Sequence, residues 1–261
     1  MTVQFEESTL SAVFRILLKY AYIIKLLFYK KIRAFRDKLW RSGGRKPSAV
    51  ALEVIYYNIM KKILLLDICG TITTKNTTLD FINYIGLKPS FIKLIIGKIM
   101  WKLFHNDILR RWYLLKLKNI NKNEIQKLAQ KYIAQLNFDK NILKYIKYLQ
   151  ENGYDIYIIS ATIDCISNEI SNLIGSKKVY SSELLFKNDI CCGILKKDLL
   201  NKKLVELNKD NIFQNNITLT ISDNEGDFDV MRSCNYAIAV VRNEKKETYW
   251  KKRNILFLSR Y

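Results

Sequence analysis

Histidine is nearly missing from this chain, and its scarcity excludes more chemistry than any other feature of the composition. The 261 residues contain one histidine, His105. A Ser-His-Asp triad or a zinc centre built on several imidazoles therefore has no material. His105 stands among Trp101, Leu103 and Phe104 and reads as a packing or interfacial residue. The five cysteines, Cys69, Cys165, Cys191, Cys192 and Cys234, are odd in number and form no Cys-x-x-Cys spacing, the pattern of a reduced, cytoplasmic chain. Acid is scarce too: 24 Asp and Glu face 44 Lys and Arg, a formal net charge of +20. That surplus calls for an anionic partner, yet no recognised nucleic-acid motif accompanies it, which ranks a membrane surface above nucleic acid. No internal repeat is evident, and no signal peptide, because cations interrupt the N-terminal apolar segment and no Ala-x-Ala site follows.

What the chain does have is a short apolar run ending on a carboxylate. Ile63-Leu64-Leu65-Leu66 leads into Asp67-Ile68-Cys69-Gly70-Thr71. A continuous apolar segment of strand length, closed by a Gly, fits a buried central parallel strand, and ligands of open α/β sheets sit beyond the carboxyl ends of such strands. Asp67 stands at that edge. Three more segments follow. Asp155 to Thr162 is an apolar strand ending in Ser160-Ala161-Thr162; Leu200 to Leu207 opens a helix on Lys203, with Lys202 as the second register; Ile217 to Asp227 is a strand followed by Asp223, Glu225 and Asp227. Helix capping would explain Ser160 or one of the acids, but one cap needs only one acid.

Taken in order, these segments resemble the four motifs of the haloacid dehalogenase superfamily, whose first motif reads Asp-x-Asp-Gly-Thr. The resemblance implies an α/β fold, a Rossmann-like three-layer parallel sheet. The long helical interval after Thr73 resembles the all-helical cap of the phosphoserine phosphatase-like branch, and the layout is also similar to bacterial phosphatidylglycerophosphate phosphatases of that branch. The implied organisation is a basic helical N-terminal extension over 1–59, a catalytic core over 60–73 and 141–261, and an inserted cap over 74–140.

The resemblance also implies roles. Asp67 is the nucleophile, passing through an aspartyl-phosphate; Ser160, Lys203 and the backbone at Gly70, Thr71 and Ala161 hold the phosphoryl oxygens. Mg²⁺ is implied, held by Asp67, Asp223 and the backbone carbonyl of Cys69, with Asp227 as an outer partner. The departure is Cys69, which stands where the motif has its second Asp, the general acid and base. A thiol with an unperturbed pKa of about 8.5 is a poor substitute. Three outcomes follow: Glu225, Asp164 or a cap acid takes over; only substrates with good leaving groups react; or the aspartyl-phosphate persists, as in the ion-pumping ATPases of the superfamily, which carry Thr there.

Charge is concentrated outside the motifs. Residues 1–59 hold six Lys and five Arg against four acids, net +7, and residues 74–140 hold eleven Lys and two Arg against four acids, net +9. Residues 10–40 read as one imperfectly amphipathic helix, suited to an anionic membrane interface or to packing on a core or partner, and Ser42 to Ser48 reads as a linker. Phe91 to Phe104 is apolar over more than one helical face, which means burial in the cap or contact with lipid. Arg110 or Arg111 is placed to reach a second anionic group of the substrate. Together these features point to a Mg²⁺-dependent phosphatase or phosphotransferase acting on a phosphorylated small molecule, a phospholipid or an envelope-polysaccharide precursor. The expected location is cytoplasmic, peripheral at the inner face of the cytoplasmic membrane. The second reading is a catalytically impaired membrane- or partner-binding protein.

Overall fold

A computed structural model describes residues 60–87, 90–104 and 107–259. The helix expected over 10–40, the linker and the side chain of His105 lie outside the described residues.

Strand β1 (Lys61–Leu66) is followed by α1 (Thr77–Tyr84), α2 (Phe91–Phe104), α3 (Ile108–Leu115), α4 (Lys122–Gln135) and α5 (Lys140–Glu151). Then come β2 (Tyr154–Ile163), α6 (Asp164–Ile174), β3 (Lys178–Lys187), β4 (Ile190–Lys197), α7 (Lys203–Lys209) and β5 (Asn216–Ser222). A 3₁₀ turn (Glu225–Asp227), α8 (Phe228–Ser233), β6 (Tyr236–Val241), α9 (Glu244–Lys251) and β7 (Leu256–Ser259) complete the order. The strands form one sheet, β4-β3-β2-β1-β5-β6-β7. Every neighbouring pair is parallel except β3 and β4.

Why the sheet is central can be read from β1. Leu64 and Leu66 pack with Ile142, Ile146 and Leu149 of α5 and with Ile166 and Ile170 of α6 on one face. Ile63 and Leu65 pack on the other face with Leu207 of α7 and Val230 of α8. An unbroken apolar strand is what a two-sided core requires, and the result is three layers. On α5 the buried Ile142, Ile146 and Leu149 recur at helical spacing behind an Asp139 N-cap.

The expected parallel sheet carries one antiparallel edge. Asn188 and Asp189 both take positive φ, 48° and 60°, the backbone of a two-residue hairpin turn matched to strand twist. The chain turns back at once after β3 reaches Lys187. This hairpin is stitched to the loop before α4. Asn119 N–H donates to Cys191 O at 2.9 Å, Cys191 N–H to Ile120 O at 2.9 Å, and Lys122 N–H to Asp189 O at 2.8 Å. All five cysteines are free.

The strand order reverses at β1, which lies between β2 and β5. Switch points of this kind open a crevice at the carboxyl edge, and Asp67, Ser160 and Asp223 come to that edge.

Candidate active site

Asp67 follows β1 directly, and its N–H continues the ladder by donating to Ile221 O at 3.1 Å. Its side chain is buried, and Lys203 Nζ donates to Oδ1 at 2.8 Å. The same ammonium donates to Asp227 Oδ2 at 2.7 Å, and Ser222 Oγ donates to that oxygen at 2.6 Å. Lys203 is the first residue of α7 and is buried, while Lys202 beside it is exposed. The first register is thus the one that reaches Asp67. Burial, opposed by Lys203 and reinforced by Asp227 and Asp223, pushes the Asp67 carboxyl up to about 6. Lys203 loses by burial but gains more from Asp227 and Asp67, so it is held above its ordinary value and stays charged.

The turn after Asp67 is shaped by close approach. Gly70 has φ of +75°, and a Cβ there would lie 2.2 Å from Asp223 Oδ2. Only glycine leaves room for that carboxylate and adopts that backbone at little cost. Thr71 ties the two loops together. Its Oγ1 donates to Asp67 Oδ2 at 3.5 Å and accepts from Asp223 N–H at 3.0 Å. Neither Asp223 nor Asp227 caps the following turn with its side chain; Asn224 does, accepting from Gly226 N–H.

Two cations that the motifs did not name complete this edge. Arg242, just past β6, donates through Nε to Gly70 O at 2.9 Å and through Nη2 to Thr71 O at 3.2 Å. Lys246, in the first turn of α9, donates to Asp223 O at 2.7 Å and Oδ2 at 2.8 Å. The position of Arg242 at a strand's carboxyl end is the one sequence signal that could have found it.

Ser160 is buried inside β2, not at a helix cap: α6 is preceded by Ile163, which offers no side-chain cap. Its Oγ lies 3.2 Å from Thr162 Oγ1. Thr162 Oγ1 is in turn 3.2 Å from Cys69 Sγ and 2.9 Å from Thr77 Oγ1. Thr77 Oγ1 is 3.2 Å from Sγ, and Thr77 N–H, at the start of α1, donates to it at 3.4 Å. Cys69 therefore sits in a ring of donors. Burial, with Asp67 adding to it, raises its pKa, so the thiol stays neutral.

Two of the expected stand-ins for the missing Asp have definite surroundings. Asp164 Oδ1 accepts from the N–H groups of Cys165 and Leu184, and Glu225 is exposed on the 3₁₀ turn. Arg110 is not free to meet a second substrate anion. It is buried, donating to Asp198 Oδ1 at 2.7 Å, Ala161 O at 2.5 Å and Ser182 Oγ at 3.0 Å. Arg111 is exposed.

Among the described residues no three His, Cys, Asp or Glu side chains cluster as a metal site. Two carboxylates plus a backbone carbonyl nevertheless suit a hard cation that keeps several waters. The fit rests on the Gly70 turn: the space a Cβ would fill is taken by the Asp223 carboxylate, beside the loop that begins at Asp67.

Comparison with known proteins bears on the fold. No family model matches the chain. Phosphoserine phosphatase of Methanocaldococcus jannaschii is 22% identical over 211 residues, 77% of this chain and 97% of that protein. A phosphoserine phosphatase solved as a phospho-aspartyl intermediate analogue superposes with a TM-score of 0.56 at 21% identity, over 72% of this chain and 90% of that one. A HAD family hydrolase from Salmonella enterica serovar Typhi gives 0.57 at 12% identity, over 77% and 68%. The fold is that of the haloacid dehalogenase-like proteins. Phosphoserine phosphatases are among the proteins it resembles, the branch to which the helical interval after Thr73 pointed.

Proposed function

We propose that the chain is a phosphomonoester phosphatase or phosphotransferase that works through an aspartyl-phosphate on Asp67. The observation that carries this reading is the buried Lys203 ammonium, shared between Asp67 Oδ1 and Asp227 Oδ2 at 2.8 and 2.7 Å. Two buried carboxylates on one buried cation form a costly arrangement for a fold to keep without a use, since desolvation erodes what the pairing returns. Asp67 attacks phosphorus, the bond to the leaving oxygen breaks, and the phosphoryl group stays on the carboxylate. Lys203 keeps Asp67 ionised and faces the charge that gathers on the phosphoryl oxygens. Ser160 and the backbone at Gly70, Thr71 and Ala161 are the further candidates for holding those oxygens.

Mg²⁺, held by Asp67, Asp223 and the carbonyl of Cys69, would neutralise the charge brought together at the site. Asp227 orients Lys203. The neutral Cys69 thiol is a weak proton donor and a weaker base, so hydrolysis of the aspartyl-phosphate is the slow step, and transfer to a better acceptor competes with water. The net charge of +9 over residues 74–140 supports an anionic substrate, for which a phospholipid or an envelope-polysaccharide precursor is our choice. That choice carries with it a place at the inner face of the cytoplasmic membrane. Among the described residues no helix is long and apolar enough to cross one.

The test is intact-protein mass spectrometry after brief exposure of the Mg²⁺-loaded protein to acetyl phosphate, with phosphate release measured in parallel. A gain of one phosphoryl group, absent in Asp67→Asn, is the expected result. Neither adduct nor release would overturn the enzymatic reading in favour of a binding protein, the alternative that Cys69 supports.

A further inference from the structure

The least satisfied surface in the described structure is the outer face of α2. Phe91 is 75% exposed, Ile92 68%, Ile95 43%, Ile96 44% and Ile99 51%. At 100° per residue these five fall within one arc of about 140°. The opposite side of the helix is its anchor. Gly97 is buried, and a Cβ there would come within 2.7 Å of Leu109 Cβ on α3. Leu94 and Leu109 also pack against the main core. Glycine at 97 lets α2 lie down on α3, and that contact fixes which side of α2 faces away. An apolar helix of unknown setting thus becomes an apolar stripe of known direction, and of the two alternatives, burial in the cap does not hold for these five residues.

Charge says what covers the stripe. The α2 sequence contains Lys93, Lys98 and Lys102 and no acid. Residues 88–118 hold six Lys and two Arg against one Asp, net +7. A stripe of this kind in a cationic setting is the composition of a helix that lies in the interface of an anionic bilayer, apolar residues among the acyl chains and lysines at the headgroups. A second copy is a worse occupant, because it would bring α2 against α2 and meet like charge.

We infer that the outer face of α2 docks this protein on an anionic lipid surface, through Phe91, Ile92, Ile95, Ile96 and Ile99. The inference stands whether or not Asp67 turns over, since it rests on a face and a charge pattern outside the motifs.

The experiment is co-sedimentation of the full chain with vesicles of phosphatidylcholine alone and of equal phosphatidylcholine and phosphatidylglycerol. Two double variants go beside it, Ile95→Asp with Ile99→Asp, and Ile92→Asp with Ile96→Asp. The altered side chains are exposed, so thermal melts of both variants should match the parent. Expected are binding to the anionic vesicles only, weakening with added salt, and a loss of at least about tenfold in both variants. Four results would each overturn the inference. These are no vesicle binding by the parent, equal binding to neutral vesicles, binding unchanged in both variants, and concentration-dependent self-association that the variants abolish.

Discussion

If Asp67 carries the phosphoryl group as proposed, replacing Cys69 by Asp should speed its release. The donors around Sγ are already those a carboxylate would use: Thr77 N–H at the start of α1, and the hydroxyls of Thr77 and Thr162, each 3.2 Å from the sulfur. A helix N-terminus and two hydroxyls stabilise an anion there. The new carboxyl could protonate the leaving oxygen and deprotonate the attacking water. Such proton transfer contributes typically 10²- to 10⁴-fold, which at 1.36 kcal/mol per decade is about 2.7 to 5.4 kcal/mol of barrier. Against this stands a second anion close to Asp67, whose field already raises the thiol pKa. The metal-free variant should therefore lose some stability, and Mg²⁺ should restore it. In single-turnover experiments with acetyl phosphate, the adduct on Asp67 should decay at least about a hundredfold faster in Cys69→Asp than in the parent. Cys69→Asn, of similar shape but without a titrating proton, should show no gain. A folded Cys69→Asp protein whose adduct decays no faster than that of the Asn variant would refute the reasoning.

Two further expectations follow from the same edge of the sheet. Arg242→Ala removes both donors to the Gly70 and Thr71 carbonyls, so phosphorylation of Asp67 by acetyl phosphate should slow by about ten- to a hundredfold, with a stability loss of about 1 to 3 kcal/mol by urea titration; Arg242→Lys should recover part of the rate. The raised Asp67 pKa has a definite sign. Between its ordinary value near 3.8 and about 6, the folded state holds the proton more tightly than the unfolded chain, so this contribution to stability is present below that window and lost as pH rises through it. The loss approaches about 3 kcal/mol, at 1.36 kcal/mol per unit. Metal-free urea titrations at pH 4 and pH 7 should show it in the parent and not in Asp67→Asn, and equal pH dependence in the two proteins would refute it.

The site was legible in the sequence wherever a local pattern delivers a residue to a defined place. A parallel strand buried on both faces announces itself as an apolar run, so Asp67 could be placed at its carboxyl edge, whereas Asp223, behind the mixed strand Asn216–Ser222, was placed by resemblance to the fourth motif. Lys203 needed only the start of a helix, although the choice over Lys202 required knowing which side of α7 faces the sheet. Residues whose partners are backbone atoms of distant loops left no such mark. Arg242 and Lys246 are two cations among 44, and the carbonyls that hold them come from Gly70, Thr71 and Asp223. The threonine ring about Cys69 joins α1 and β2 across 85 residues. Composition could call α2 apolar but could not orient it, because that depended on Gly97 meeting Leu109. Arg110 was hard to place for a related reason: its partners, Asp198, Ser182 and the Ala161 carbonyl, come from segments far away in the chain.

The seam between the β3–β4 hairpin and the loop before α4 bears on how this protein can change over evolution. Residues 74–140 look like a cassette that could be lifted out of the chain and exchanged for another cap. The three backbone hydrogen bonds at Asn119, Cys191 and Lys122 deny it that independence. A transplanted segment would leave Cys191 N–H and the carbonyls of Cys191 and Asp189 without these partners unless the hairpin travelled with it. A unit that could be exchanged is therefore split in sequence, one piece on each side of β2, and the two pieces must change together.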